Sequence, residues 1–162
     1  MAVLGWYSWN AAGSYETLSY APLQVIDSPK STKEKACLEE ALWYESRSES
    51  PLGIAAVLSV IHNRKLHPSY PKSYCAVIYQ SMQFSYRNNV QPGIALKPIP
   101  KSVFEPKAVI ISEMAEMAIQ EKFQSILPQS VIYYTTTKVQ PSWSKGLKVY
   151  TTIDNHRFYE EK

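Results

Sequence analysis

Near residue 131 the chain changes how it spaces its apolar residues, and that switch limits the folds open to it. Up to about Lys122 the apolar positions recur at helical intervals. Beyond that point, Val131-Ile132-Tyr133-Tyr134-Thr135-Thr136-Thr137 and Lys148-Val149-Tyr150-Thr151-Thr152-Ile153 are runs of β-branched and aromatic residues, the types that pack well on a pleated surface. His156-Arg157-Phe158-Tyr159 reads as a last short strand. Helices that precede the strands, instead of alternating with them, specify the α+β class: a helical core with a small antiparallel sheet at the C-terminal end.

The helical part divides at its punctuation. Lys33 to Arg47 is rich in Ala, Leu and Glu, and Ser31 with Glu34 is spaced as a capping box. Ser50-Pro51 reads as a second start, with Ser50 as N-cap and Pro51 at the first helical position. The helix from Pro51 to Lys65 places Ile54, Val57, Leu58 and Ile61 on one face. A short helix is expected over Ser73 to Gln80, then a polar loop to about Pro106, then an amphipathic helix over Lys107 to Lys122. Residues 1–30 mix aromatics, Ser and Pro without a period, so they read as an irregular arm with a short strand near Leu23 to Ile26. Residues 31–162 are then a single domain, long enough to bury a core.

Charge and composition exclude several partners. The formal net charge is +3 with 19% charged residues, and no run of five like charges occurs, so a nucleic-acid partner is not expected. No apolar stretch is long enough to span a membrane. The opening Met1-Ala2-Val3-Leu4-Gly5-Trp6-Tyr7 has neither a basic start nor a sustained apolar run, so no cleaved leader is expected. His62 and His67 share no metal-ligand spacing with the cysteines, and neither metal nor cofactor is expected. Cys37 and Cys75 permit one disulfide but read better as two small buried thiols on helices. The 12 tyrosines suit stacking on sugar rings and a half-wet core equally.

One carboxylate falls on an apolar face. Advancing about 100° per residue puts Cys37, Leu38, Ala41, Leu42 and Tyr44 in one arc, with Glu45 in its middle. Glu39 and Glu40 fall outside the arc, and Glu34 sits in the first turn, where capping accounts for it. A carboxyl group among apolar neighbours loses solvation, which raises its pKa. A neutral carboxylic acid near pH 7 is what protonation of a glycosidic oxygen requires. The competing reading makes Glu45 a helix-end cap, or a partner of Arg47 or Arg64 in a partly buried ion pair. Structural buried glutamates outnumber catalytic ones, so periodicity by itself favours that reading.

Five ordered pieces of sequence add to it. Cys37-Leu38-Glu39-Glu40-Ala41-Leu42-Trp43-Tyr44-Glu45-Ser46-Arg47-Ser48-Glu49 resembles the A-x-x-x-E-A-R-G-E signature of the SleB/CwlJ-type cell-wall hydrolases. Gly53-Ile54-Ala55-Ala56-Val57 through Ile61-His62-Asn63-Arg64 resembles that family's G-x-x-A-V…N-R helix. The similarity continues through Tyr70-Pro71-Lys72-Ser73-Tyr74-Cys75-Ala76-Val77-Ile78-Tyr79-Gln80 and Gln83-Phe84-Ser85-Tyr86, and closes at Ile153-Asp154-Asn155-His156-Arg157-Phe158-Tyr159. It spans about Ala36 to Tyr159. The chain departs from the family pattern at Ser46, Ser48, Tyr86 and Asp154, and it carries Tyr133-Tyr134-Thr135 where many relatives have a Tyr-His pair.

The resemblance implies a lysozyme-like fold, with residues 31–162 as the catalytic domain, and cleavage of the β-1,4 bond between N-acetylmuramic acid and N-acetylglucosamine. It implies Glu45 as acid/base and Glu49 as a structural residue bonding the start of the next helix. Gln83, Ser85, Tyr133 and Tyr134 are expected to bind sugar, Asn155 and His156 to orient Glu45 or the sugar, and Trp143 to stack on substrate or anchor a loop. Phe84, Phe158 and Tyr159 suit core and groove equally. Asp154 is the candidate second acid, although a turn residue is the better reading of it. With one assured acid, the expected activity is that of a lytic transglycosylase forming 1,6-anhydro-muramyl ends. A hydrolytic lysozyme and an inactive peptidoglycan-binding or virion module are the alternatives. The expected partner is the peptidoglycan glycan strand, bound by a monomer. The expected setting is phage lysis or wall penetration, by a protein made in the host cytoplasm or carried on a virion.

Overall fold

A computed structural model describes residues 28–81, 83–88, 99 and 105–162. Four helices come first: α1 (Pro29–Ser46), α2 (Pro51–Leu66), α3 (Tyr74–Ile78) and α4 (Pro106–Ile119). Three strands follow: β1 (Val131–Thr136), β2 (Lys148–Ile153) and β3 (His156–Glu160). The sheet is antiparallel in the order β1-β3-β2, so the α+β reading holds, with the sheet at the C-terminal end. The expected arm, its strand near Leu23 to Ile26 and most of the polar loop lie outside the described residues.

The helix starts show where local sequence prevails. Ser50 caps α2 as expected, its side chain accepting from Gly53 N, with Pro51 next in line. α1 starts earlier than the capping box implied. Ser28 caps it, accepting from Ser31 N at 3.2 Å, and Pro29 takes the first helical position. Glu34 is thereby released from capping its own helix. Its carboxylate reaches across to α3 and accepts from Tyr74 N at 2.6 Å and Cys75 N at 3.3 Å. α4 stops three residues short of Lys122, because Glu121 takes a left-handed backbone (φ 58°).

α2 is the axis of the core. Ile54, Val57, Leu58 and Ile61 are fully buried, as are Ala56 and Val60 on its other sides, since α1, α3, α4 and β1 all pack on it. The expectation of free thiols is corrected: Cys37 and Cys75 form a disulfide with Cα atoms 5.3 Å apart. The Glu34 contact lies one turn earlier on α1 and holds the start of α3 against the same helix, with Cys75 opposite Cys37. Closing a loop of this length restricts the unfolded chain, and replacing both cysteines by serine is expected to cost about 2–4 kcal/mol in denaturant unfolding. The same loss should follow from adding reductant to the unmutated protein.

Candidate active site

Glu45 sits in the last turn of α1, and β1 brings Tyr134 to it: the Tyr134 hydroxyl donates to Glu45 Oε2 at 2.9 Å. The other oxygen, Oε1, is buried and has no hydrogen-bond partner among the described residues. The two residues line a cavity of about 350 Å³ with Arg64, Gln83, Ser85, Thr135, Thr136 and Val139. Its opposite wall, the segment around Gln83 to Arg87, is fastened to α1. Tyr86 stacks on Tyr44 with ring centroids 5.0 Å apart, and its hydroxyl donates to Glu40 Oε1 at 3.1 Å. Arg87 closes an ion pair with the same Glu40 carboxylate.

Neither arginine neutralises Glu45 by direct pairing. Arg47 donates to Trp43 O and lies over the Trp43 and Tyr44 rings. Arg64 turns its Nε onto Ile132 O at 2.7 Å and lies between the Tyr70 and Phe84 rings, at 5.6 and 5.9 Å. Burial is therefore the dominant influence on Glu45 and raises its pKa. The Tyr134 hydrogen bond and the Arg64 charge pull it back part of the way, and the Tyr86 amide does so without closing a bond to Oε1. Tyr134 is itself held well above the usual tyrosine range by burial and by Glu45, so its hydroxyl stays a donor.

Of the residues expected to bind sugar, Gln83, Ser85 and Tyr134 share the cavity with Glu45. Tyr133 and Trp143 are placed elsewhere: strand alternation turns Tyr133 to the other face of β1, where Trp143 packs between it and Tyr159. Phe84, Phe158 and Tyr159 are core. Asn155 and His156 do not line the cavity. His156 is buried edge-on to the Tyr134 ring, with centroids 5.3 Å apart, and its Nδ1 is 4.0 Å from Glu49 Oε2. Burial lowers the His156 pKa against the pull of Glu49 and Asp154. Thr135, Thr136 and Val139 were missed, because nothing in the strand pattern says which edge of a sheet stays open. Arg64 was considered only as an ion-pair partner.

Glu49 is a structural residue, as expected, but with a different partner, and Asp154 is the turn residue of its better reading and not a second acid. The buried Glu49 carboxylate accepts from Asn155 N at 3.0 Å and Asn155 Nδ2 at 3.2 Å, clamping the β2–β3 turn instead of the next helix. Asp154 serves that helix start: its Oδ2 accepts from Ser50 N at 2.8 Å and Ser50 Oγ at 2.6 Å. These bonds lower the Asp154 pKa and hold it as a turn residue with φ 48°, outside the cavity. A left-handed backbone of this kind is the conformation that glycine adopts most readily.

The profile of the cell wall hydrolase family matches residues 48–159, well over half of the chain. This chain belongs to the cell wall hydrolase family. The match begins three residues after Glu45, so it covers the Glu49–Asn155 clamp, Arg64 and Tyr134 but not Glu45. Two solved structures are similar to this cell wall hydrolase at 22% identity. The catalytic domain of the Bacillus cereus SleB protein has a TM-score of 0.60, over 80% of this chain and 91% of that one. The catalytic domain of the germination-specific lytic transglycosylase SleB from Bacillus anthracis has a TM-score of 0.62, over 82% and 98%. At that identity the likeness shows the fold. No curated protein sequence matches at a significant level.

Two outcomes follow for this hydrolase. A carboxyl group whose pKa is higher folded than unfolded favours the native state below the unfolded pKa, and that stability is lost as pH rises through the folded value. Glu45→Gln cannot ionise, so its thermal midpoint should gain on the unmutated protein as pH rises through that window, by melting curves at stepped pH. Tyr134→Phe removes a bond that favours the carboxylate. The alkaline limb of its pH–rate profile should move up, with kcat/KM at the optimum down by about tenfold.

Proposed function

We propose that the chain is a peptidoglycan glycosidase acting as a lytic transglycosylase, with Glu45 as its acid and base. One observation carries the reading: among the described residues that line the cavity, Glu45 is the one carboxylate. The other acids nearby are committed. Glu40 holds Tyr86 and Arg87, Glu49 holds Asn155, and Asp154 holds Ser50. Hydrolysis by a retaining or inverting route ordinarily needs a second carboxylate across the scissile bond. An intramolecular nucleophile does not.

The chemistry then uses both states of one group. Tyr134 occupies Oε2 as a donor, so the proton of neutral Glu45 resides on Oε1. Glu45 gives that proton to the bridging oxygen as the muramyl C1–O bond breaks through an oxocarbenium-like state, and the N-acetylglucosamine side leaves as an alcohol. The muramyl 6-hydroxyl attacks C1, and the Glu45 carboxylate takes its proton, which restores the starting acid and closes the 1,6-anhydro ring. Burial favours the first state; Tyr134 and Arg64 favour the second. The Cys37–Cys75 disulfide suits a protein that works in an oxidising setting such as the cell wall.

Mass spectrometry of fragments released from purified peptidoglycan tests this. Anhydro-muramyl ends are expected, with release by Glu45→Gln lowered about 10²–10⁴-fold. Reducing muramyl ends would make the enzyme a hydrolase, and an unimpaired Glu45→Gln would remove the acid from its assigned role.

A further inference from the structure

One wall of the cavity is the edge of a sheet. β1 is an outer strand in the order β1-β3-β2, and from Tyr133 onward its register with β3 is regular. Thr137 N donates to Asn155 O at 2.8 Å, so that pair is hydrogen-bonded. Antiparallel pairs alternate between bonded and non-bonded, which makes Thr135–Arg157 and Tyr133–Tyr159 bonded pairs. Tyr134 and Thr136 then turn their backbone N–H and C=O groups away from β3. The Thr136 carbonyl is taken by Val139 N at 3.3 Å. The Tyr134 N–H and C=O and the Thr136 N–H are left without a partner among the described residues, and both residues line the Glu45 cavity.

A second observation lies beside that edge. Arg64 lines the same cavity, is 4% exposed, and has an Nη1 with no hydrogen-bond partner among the described residues. The site therefore offers a short run of free strand backbone and an incompletely used buried cation. The shape of an amide decides what fits. A single planar trans amide, such as a sugar acetamido group, points its N–H and C=O in opposite directions. One residue of an extended peptide points both to the same side, as the free groups of Tyr134 require. Peptidoglycan carries such a peptide, the acidic stem amide-linked to the lactyl group of muramic acid.

We infer that the peptide stem on muramic acid docks along the open edge of β1, pairing with Tyr134 and Thr136, with a stem carboxylate toward Arg64. This rests on the peptidoglycan reading above and deepens it: the enzyme selects stem-bearing muramic acid beside the scissile bond. Backbone pairing reads the stem as an extended chain while leaving its side chains unread, so selection is for a stem and not for one peptide sequence.

The test uses the full-length Glu45→Gln protein, in which the Gln carbonyl still accepts from Tyr134, and soluble glycan oligomers as probes. One oligomer keeps its stems, a second has been stripped of them by an amidase, and a third keeps its stems but has lost its N-acetyl groups. Calorimetry is expected to give about tenfold tighter binding of the two stem-bearing oligomers than of the stripped one. In ¹⁵N-resolved NMR spectra, the amide signals of Tyr134 and Thr136 should move with the stem-bearing oligomers and stay put with the stripped one. Equal affinity for stripped and stem-bearing oligomers would overturn the inference. So would a preference that follows the N-acetyl groups, or amide shifts confined to residues such as Gln83 and Ser85. Because binding is read without turnover, failed cleavage by the unmutated enzyme would sink the catalytic reading without deciding this one.

Discussion

The corner between α1 and α2 is fastened to the β2–β3 turn by two carboxylates working in opposite directions. Glu49, from the corner, takes the amides of Asn155; Asp154, from the turn, takes the amide and hydroxyl of Ser50. Gly53 is part of the same joint, since a Cβ there would collide with the Asp154 carboxylate and Glu49 Cβ. The chain separation bridged is over 100 residues, so this joint, together with the bonds from Asn63 and Arg64 on α2 to Val131 and Ile132 on β1, registers the helical half against the sheet. Glu45 is four residues before Glu49 and Tyr134 lies on β1, bonded through β3 to the clamped turn. The 2.9 Å bond between them spans the two halves that these contacts hold together.

Function on this account comes from polar groups that the fold buries and leaves partly unused. Glu45 Oε1 and Arg64 Nη1 are both buried without a hydrogen bond among the described residues, beside the open backbone of Tyr134 and Thr136. Unpaired buried polar atoms cost the folded state roughly 1–3 kcal/mol each. The stability to tolerate them lies around α2, where side chain after side chain is wholly inaccessible, and in the covalent link from Cys37 to Cys75.

Much of the architecture was legible because local rules decided it. Ser50-Pro51 fixed a helix start and the β-branched runs fixed the strands, whereas the apolar arc put Glu45 on a buried face without separating a catalytic from a structural role. What escaped detection depended on contacts across the sequence. Glu34 looked like a capping residue because its real acceptor role is toward α3, 40 residues away. The disulfide depends on the same approach of α3 to α1, so the sequence could permit the bond between its two cysteines without requiring it. Glu49 was rightly read as structural, but its partner, Asn155, lies 106 residues away, and the helix start it was expected to serve is taken by Asp154 from the turn. Tyr133 and Tyr134 are adjacent and alike in sequence, and they face opposite sides of the strand, Tyr133 against Trp143 and Tyr134 on the cavity.

The central claim is that burial, moderated by Tyr134 and Arg64, holds Glu45 as a neutral acid at pH values where ordinary glutamates are ionised. Carboxyl-carbon NMR, with Glu45 assigned by comparison with Glu45→Gln, reads that directly in the substrate-free protein. The account predicts that Glu45 titrates clearly above the ordinary glutamate value of 4.5, and higher still in Tyr134→Phe. Titration at or below the ordinary value, or no upward movement in Tyr134→Phe, would contradict it.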